Sequence, residues 1–317
     1  MAENFAIIGT GGFVAPRHLD AIKKTGNRVA VAVDRNDAVG ILDKYFPEAK
    51  FFLDVEKFIE YIDYRKKNPS EKISFISICT PNYLHYYHAY ISMRLGANVI
   101  CEKPLVINPD HLNSLLEMER ETGQIVYGIS QLRFSPTLRR LKHEIQNGDT
   151  KKREVSLTYI TSRGDWYSSS WKSYAEKSGG LAMNIGFHLF DLLLWIFGDV
   201  EDTKVYLSER ERMAGYLRMQ RANVKWLLSV NNKDISSDSN NSKSMISRSL
   251  NLDGSIIDFS DVSDSLHTDL FRETLQGNGL KILDLKPAVD LAYDIQNSDT
   301  TPLEGENHPM LTRGKNE

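Results

Sequence analysis

Up to about residue 130 the chain alternates short apolar runs with stretches whose apolar residues recur every three or four positions. Phe5–Ile8, Val29–Val33, Phe51–Leu53, Ile73–Cys79, Val99–Cys101 and Ile125–Ile129 are the runs. Each has the length and continuity of a strand buried on both faces. Between them, Ala15, Leu19 and Ile22 fall on one helical stripe, and Val55–Tyr64 is amphipathic. A helix from about Tyr83 to Leu95 stops before Gly96, a natural residue for a left-handed C-terminal cap. Another follows Asn108-Pro109, an N-cap followed by a first-turn proline. Strands alternating with helices predict a doubly wound parallel sheet.

After Arg133 the pattern changes. Pro136–Ile145 reads as a helix, and Arg153–Thr161 alternates polar and apolar residues as a half-buried antiparallel strand does. Strand-like pieces follow at Thr203–Leu207, Ala214–Leu217, Val224–Val230, Met245–Leu250 and Ser255–Phe259. The expectation is an α/β chain with a Rossmann-type, doubly wound parallel sheet over 1–130. An α+β domain with a large, open, mostly antiparallel sheet is expected over 131–317. Asn231–Lys243, rich in Asn, Ser and Asp, reads as a solvated hairpin loop. A helix is predicted over Pro287–Ile295, followed by a polar tail from Asn297 to Glu317.

Composition narrows the class. A length of 317 residues fits two domains. A net charge of −3 gives no broad attraction for nucleic acid or an anionic membrane, and neither is expected as a partner. Cys79 and Cys101, the two cysteines, both end apolar runs and read as buried, reduced thiols, which fits a cytoplasmic protein. The amino terminus enters a strand at once, with no basic segment or cleavage site of a signal peptide. The longest apolar run, Ile185–Phe197, is too short to span a bilayer and contains His188 and Asp191.

Gly9-Thr10-Gly11-Gly12-Phe13-Val14 follows the first strand and precedes the first helix. That is the setting in which glycines let the backbone approach a dinucleotide's pyrophosphate at a helix N-terminus. The third fingerprint position is Val14, so Gly9, Gly12 and Ala15 are an alternative working set, and a plain β–α turn would use glycine too. Asp34 ends the second strand, where a carboxylate binds the ribose hydroxyls and disfavours a 2′-phosphate. The cofactor read from it is NAD, with Arg35 placed to stack on adenine; a turn aspartate is the competing reading. Thr80-Pro81-Asn82 and Cys101-Glu102-Lys103-Pro104 both lie at carboxyl ends of strands, where such folds bind ligands. His85 and His88 have a spacing open to metal, but no third ligand is spaced with them, and no metal is expected.

The second domain carries its own cluster. Arg163, Lys172, Trp166, Tyr167 and Trp171 fall within ten positions. Cations there could hold a carboxylate or phosphate and aromatics could stack on a base, or the segment is a surface loop with tryptophan anchors. His188 and Asp191 share a helical face, open to a catalytic reading or to a core histidine bonded to Asp191.

Taken together, Glu102-Lys103-Pro104, Thr80-Pro81-Asn82-x-x-His85 and Asn184-x-Gly-x-His188 resemble the Gfo/Idh/MocA oxidoreductases over nearly the whole chain. Ala15-Pro-Arg-His18, Gln131-Leu-Arg133 and Leu157 to Tyr167 bring the resemblance nearest to the UDP-N-acetylglucosaminuronate 3-dehydrogenases of O-antigen (lipopolysaccharide) synthesis. The resemblance implies NAD held by Gly9, Gly11, Gly12, Phe13, Val14, Asp34, Arg35, Thr80, Pro81, Asn82, His85, Glu102, Lys103 and Gln131. It implies Lys103 and His188 as the catalytic pair, with Arg163, Trp166, Tyr167, Lys172 and Asn184 at the sugar nucleotide. Many members carry Asp where this chain has Asn184. With Asn184 in that place the resemblance makes His188 less clearly the base, and Lys103 becomes the stronger candidate. Further implications are 2-oxoglutarate as second substrate, a homotetramer, and a pyridoxal-phosphate aminotransferase consuming the keto sugar. A free-sugar or inositol dehydrogenase of the same fold, and a non-catalytic NAD-dependent sensor, are the alternatives.

Overall fold

The computed structural model describes residues 2–235, 246–259, 265–303 and 305–312. Most of the expected 231–243 loop, the start of the expected 245–250 strand and the last five residues lie outside the described residues. The chain divides into two compact units, one of residues 1–134 and 263–286, the other of 135–262 and 287–317.

In the first unit, six strands alternate with helices. They are β1 (Asn4–Ile8), β2 (Arg28–Val33), β3 (Lys50–Phe52), β4 (Phe75–Ile78), β5 (Asn98–Cys101) and β6 (Val126–Gly128). The helices are α1 (Ala15–Lys24), α2 (Gly40–Tyr45), α3 (Val55–Arg65), α4 (His85–Arg94) and α5 (Asp110–Thr122). Every pairing is parallel, in the order β3-β2-β1-β4-β5-β6. That order reverses direction between β1 and β4, the switch point where α/β sheets open a crevice beyond their carboxyl ends. β1 is buried at all five positions, as a strand covered on both faces must be. The helix α1 buries Ala15, Leu19 and Ile22 as the periodicity predicts, and His18 with them. The short helix α2 had no counterpart in the pattern reading.

The second unit opens with α6 (Pro136–Asn147). A six-stranded sheet follows, built from β7 (Arg153–Thr161), β8 (Val200–Ser208), β9 (Arg212–Met219), β10 (Ala222–Ser229), β11 (Ile246–Leu252) and β12 (Ser255–Asp258). Its order is β12-β11-β7-β10-β9-β8, antiparallel throughout except for β7 with β10. Between β7 and β8 lie α7 (Trp166–Ser169), α8 (Ala175–Ser178) and α9 (Phe187–Phe197), with one widened π turn at Ala182–Gly186 leading into α9. By length and composition the whole stretch Ala175–Phe197 could cross a membrane, unlike the shorter run read from the sequence. Yet 89% of its apolar window is buried inside the protein, as in a core helix.

Two later helices depart from the sequence reading. α10 (Ser265–Leu275) was not predicted, and it packs against α1 in the first unit, with Phe271 against His18. The Phe271 ring meets the edge of His18 at 5.3 Å and lies 6.3 Å from Phe5. α11 spans Ile282–Asn297, so Pro287 lies inside the helix, not at its start. A capping contact begins it: the Lys281 N–H donates to the Asp284 carboxylate at 2.8 Å.

Candidate active site

The glycine turn is shaped by close approach. Gly9 has φ 94°, outside the range most side chains tolerate, and its N–H donates to Val33 O. A Cβ on Gly12 would strike the carbonyl oxygen of Cys79, at the end of β4. The Gly11 N–H donates to Asp34 Oδ2 at 2.8 Å, and the Asn36 N–H to Asp34 Oδ1 at 2.9 Å. Asp34 therefore sits at the mouth of the turn with its orientation fixed. Phe13 is 76% exposed beside the turn, with the Arg17 guanidinium 5.7 Å from its ring centre.

Two polar atoms here are buried without a hydrogen-bond partner among the described residues: Thr10 Oγ1 in the turn and Gln131 Oε1 just after β6. Buried polar groups are normally satisfied, so a water or a ligand is expected to supply the partner of these two atoms. A cradle that admits no Cβ, a fixed carboxylate at the end of β2 and orphaned polar atoms fit a dinucleotide of the NAD type. Gly9, Gly11, Gly12, Phe13, Asp34 and Thr80 are the residues that would hold it.

Lys103 lies two residues past the end of β5, and the Lys103–Pro104 bond is cis. Glu102 is only 6% exposed and His18 fully buried, and the His18 Nε2–H donates to the Glu102 carboxylate at 2.9 Å. The other His18 nitrogen accepts from the Ser77 hydroxyl at 2.6 Å. Burial lowers the His18 pKa, which suits this neutral tautomer. His267 Nε2 on α10 stands 3.7 Å from the same carboxylate oxygen, and the Lys103 N–H donates to the other at 3.2 Å. Burial alone would raise the Glu102 pKa, but these histidine contacts outweigh it and hold the group well below the usual carboxylate range. His18, Glu102 and His267 lie close enough together to suggest a metal cluster. The 2.9 Å contact is a hydrogen-bond length, however, and both His18 nitrogens are already engaged.

His85 is fully buried and faces carbonyl oxygens on both sides, Pro104 O at 2.7 Å and Thr80 O at 2.8 Å. Burial lowers its pKa, while the two carbonyls and Glu102 hold it up, since only the imidazolium donates to both. His88 lies 3.0 Å from the Thr80 hydroxyl and its pKa falls to about 4 through burial and His85. Glu102 and His85, expected among the cofactor contacts, thus have internal partners. The sequence reading missed His267 because it missed α10. It could have found His18, a polar residue on the apolar stripe of α1.

In the second unit the predicted cations come together. Lys172 lies 5.6 Å from the Trp166 ring centre and 5.8 Å from that of Trp171. Burial and the charge of Arg163 lower its pKa. Arg163 is half-buried, its pKa lowered by burial and by Arg248, while Tyr167 and Tyr159 oppose the shift. Arg248, which the sequence reading did not single out, lies 4.7 Å over the Tyr159 ring. The Tyr167 side chain bonds to that of Asn184 and its hydroxyl donates to Lys172 O. Arg210 braces the loop by donating to Ser168 O and Ser173 Oγ. His188 is 7% exposed and Asp191 fully buried, both on α9. Cations, an amide and aromatic rings on one wall suit an anionic, partly aromatic ligand.

Comparison with known proteins agrees with this geometry. Residues 3–129 match the NAD-binding Rossmann fold of the oxidoreductase family Gfo/Idh/MocA, and residues 142–249 match its C-terminal alpha/beta domain. The WlbA (WbpB) dehydrogenase of Thermus thermophilus, solved with NAD and UDP-GlcNAcA and also with NAD and alpha-ketoglutarate, is 38% identical. The match covers 97% of this chain and 99% of that one, with a TM-score of 0.93. D-glucoside 3-dehydrogenase of Escherichia coli is 25% identical over 40% of this chain. The matches to the first curated relatives span only 36% to 42% of their length. By both of its domains, the chain belongs to the Gfo/Idh/MocA oxidoreductase family.

Proposed function

We infer that this protein is an NAD-dependent dehydrogenase that oxidises the 3-hydroxyl of UDP-N-acetylglucosaminuronate to the 3-keto nucleotide sugar. The observation that carries the reading is end-to-end similarity, at 38% identity, to a dehydrogenase solved with NAD and that sugar nucleotide. Bound NAD⁺ supplies the hydride acceptor for the hydrogen on C3. The chain's own residues handle the hydroxyl proton, the substrate charge and the cofactor's orientation.

Lys103 takes the proton from the 3-hydroxyl, with His188 sharing or positioning that hydroxyl. Asp34 selects the ribose diol. Arg163 and Lys172 meet the uronate carboxylate or the diphosphate, flanked by Trp166, Tyr167 and Asn184. 2-Oxoglutarate would serve as the second substrate: its keto carbon would take the hydride that the bound cofactor supplies, and Lys103 would return the proton it holds to the keto oxygen, giving 2-hydroxyglutarate. We further propose a cytoplasmic homotetramer that hands its keto sugar to a pyridoxal-phosphate aminotransferase.

The test follows the cofactor's near-ultraviolet absorbance. Addition of UDP-N-acetylglucosaminuronate to protein and NAD⁺ should generate it, and 2-oxoglutarate should bleach it. Oxidation of inositol or a free sugar, with UDP-N-acetylglucosaminuronate left unused, would replace this reading with the free-sugar one.

A further inference from the structure

Lys103 emerges from a strand end whose preceding residue is a buried carboxylate. Glu102 is contacted by side chains from two separate helices and by the backbone of its own neighbour. His18 comes from α1, the helix that follows the glycine turn, and His267 from α10; the Lys103 backbone N–H is the third contact. Ser77 on β4 fixes the far side of His18. Pro104, the residue after the lysine, is held as well, through its carbonyl to buried His85.

Burying a charge is costly, and a well-packed apolar group in its place is often no less stable. Stability is therefore a weak reason for an ionised carboxylate at this position. The contacts themselves point to another: they fix the backbone on both sides of the residue expected to move the proton. Misplacing a catalytic group by about 1 Å can cost on the order of a hundred-fold in rate.

We propose that Glu102, held by His18 and His267, is a positioning residue that sets the Lys103 backbone for proton transfer. This rests on the reading of Lys103 given above. His267 is then functional although it lies far along the chain from every motif of the nucleotide-binding half.

The test uses the full-length protein with NAD⁺ and UDP-N-acetylglucosaminuronate. Glu102→Gln keeps the side chain's size and removes its charge. His267→Gln perturbs the network from α10 and carries the test should Glu102→Gln fail to fold. Each should lower kcat on the order of 10- to 100-fold while KM and the Kd for NAD stay within about two-fold. Each is then repeated in a Lys103→Met background, with single-turnover rates read. A residue acting through Lys103 should cause no further loss there. The same fold-loss in both backgrounds, an unchanged kcat, or a fall in NAD affinity matching the fall in rate would overturn the proposal. A Lys103→Met enzyme as fast as wild type would instead remove the reading of Lys103 on which it rests.

Discussion

Gly12→Ala tests the cofactor cradle at its tightest point. The added methyl would overlap the Cys79 carbonyl oxygen and lie 3.0 Å from the Gly9 carbonyl oxygen, and both are backbone atoms that no rotamer change can move. Overpacking of this kind costs ~1–3 kcal/mol. The chain can relieve it only by opening the turn, which would shift the backbone over which the pyrophosphate is expected to lie. Losing one hydrogen bond to a charged group costs ~1.5–3 kcal/mol, so the Kd for NAD should rise roughly 10- to 100-fold. Gly11→Ala is the control. Its methyl would meet the Asp34 carboxylate at 3.2 Å, a side chain that can give by a few tenths of an ångström. Calorimetric titration with NAD and thermal unfolding of both variants would measure the difference. Should Gly12→Ala bind NAD as wild type does, or Gly11→Ala prove the more damaging, the placement of the pyrophosphate over this turn is wrong.

Other expectations follow from single residues. Asp34 carries a fixed carboxylate, so NAD should bind far better than NADP, and Asp34→Ser should narrow the gap in paired titrations. Arg163→Ala should raise KM for the uronate sugar roughly 10- to 100-fold, and much less for UDP-N-acetylglucosamine, which lacks the carboxylate. Equal effects would assign Arg163 to the diphosphate or to the fold. His308, buried against Thr158 in the second unit, has its pKa lowered by burial and Lys225 to about 4. The folded form then binds fewer protons than the unfolded below about pH 6.5. Its contribution is whole above that pH and falls by about 1.4 kcal/mol per unit down to about pH 4. Denaturant titrations at pH 7 and pH 5 should show the loss, and His308→Gln should reduce it.

Much of the first unit was legible because its strands are short, apolar and separated by amphipathic helices. The glycine turn and Asp34 could be placed by their positions relative to those strands. The inward direction of Glu102 could not, because its partners His18 and His267 come from α1 and α10, and α10 belongs to the first unit although it follows the strands of the second in the chain. Sequence spacing carries no sign of that return. The helix itself was readable, since Leu266, Leu270 and Phe271 recur at helical spacing. Pro287 misled the reading of α11, as proline favours a first turn, while the cap was formed by Asp284. The cation cluster around Arg163 was found as a stretch of sequence. Arg248 joins it from β11, which pairs with β7, a tertiary relation with no local signal.

The most direct test of the account follows one hydrogen atom. UDP-N-acetylglucosaminuronate carrying deuterium at C3 is incubated with the protein, NAD⁺ and 2-oxoglutarate, and the products are read by mass spectrometry. Oxidation at the 3-hydroxyl predicts a 3-keto sugar that has lost the label, with deuterium recovered first on the nicotinamide and then on C2 of 2-hydroxyglutarate. Sugar that keeps its deuterium while NADH accumulates, or no reduction of NAD⁺ at all, would contradict it.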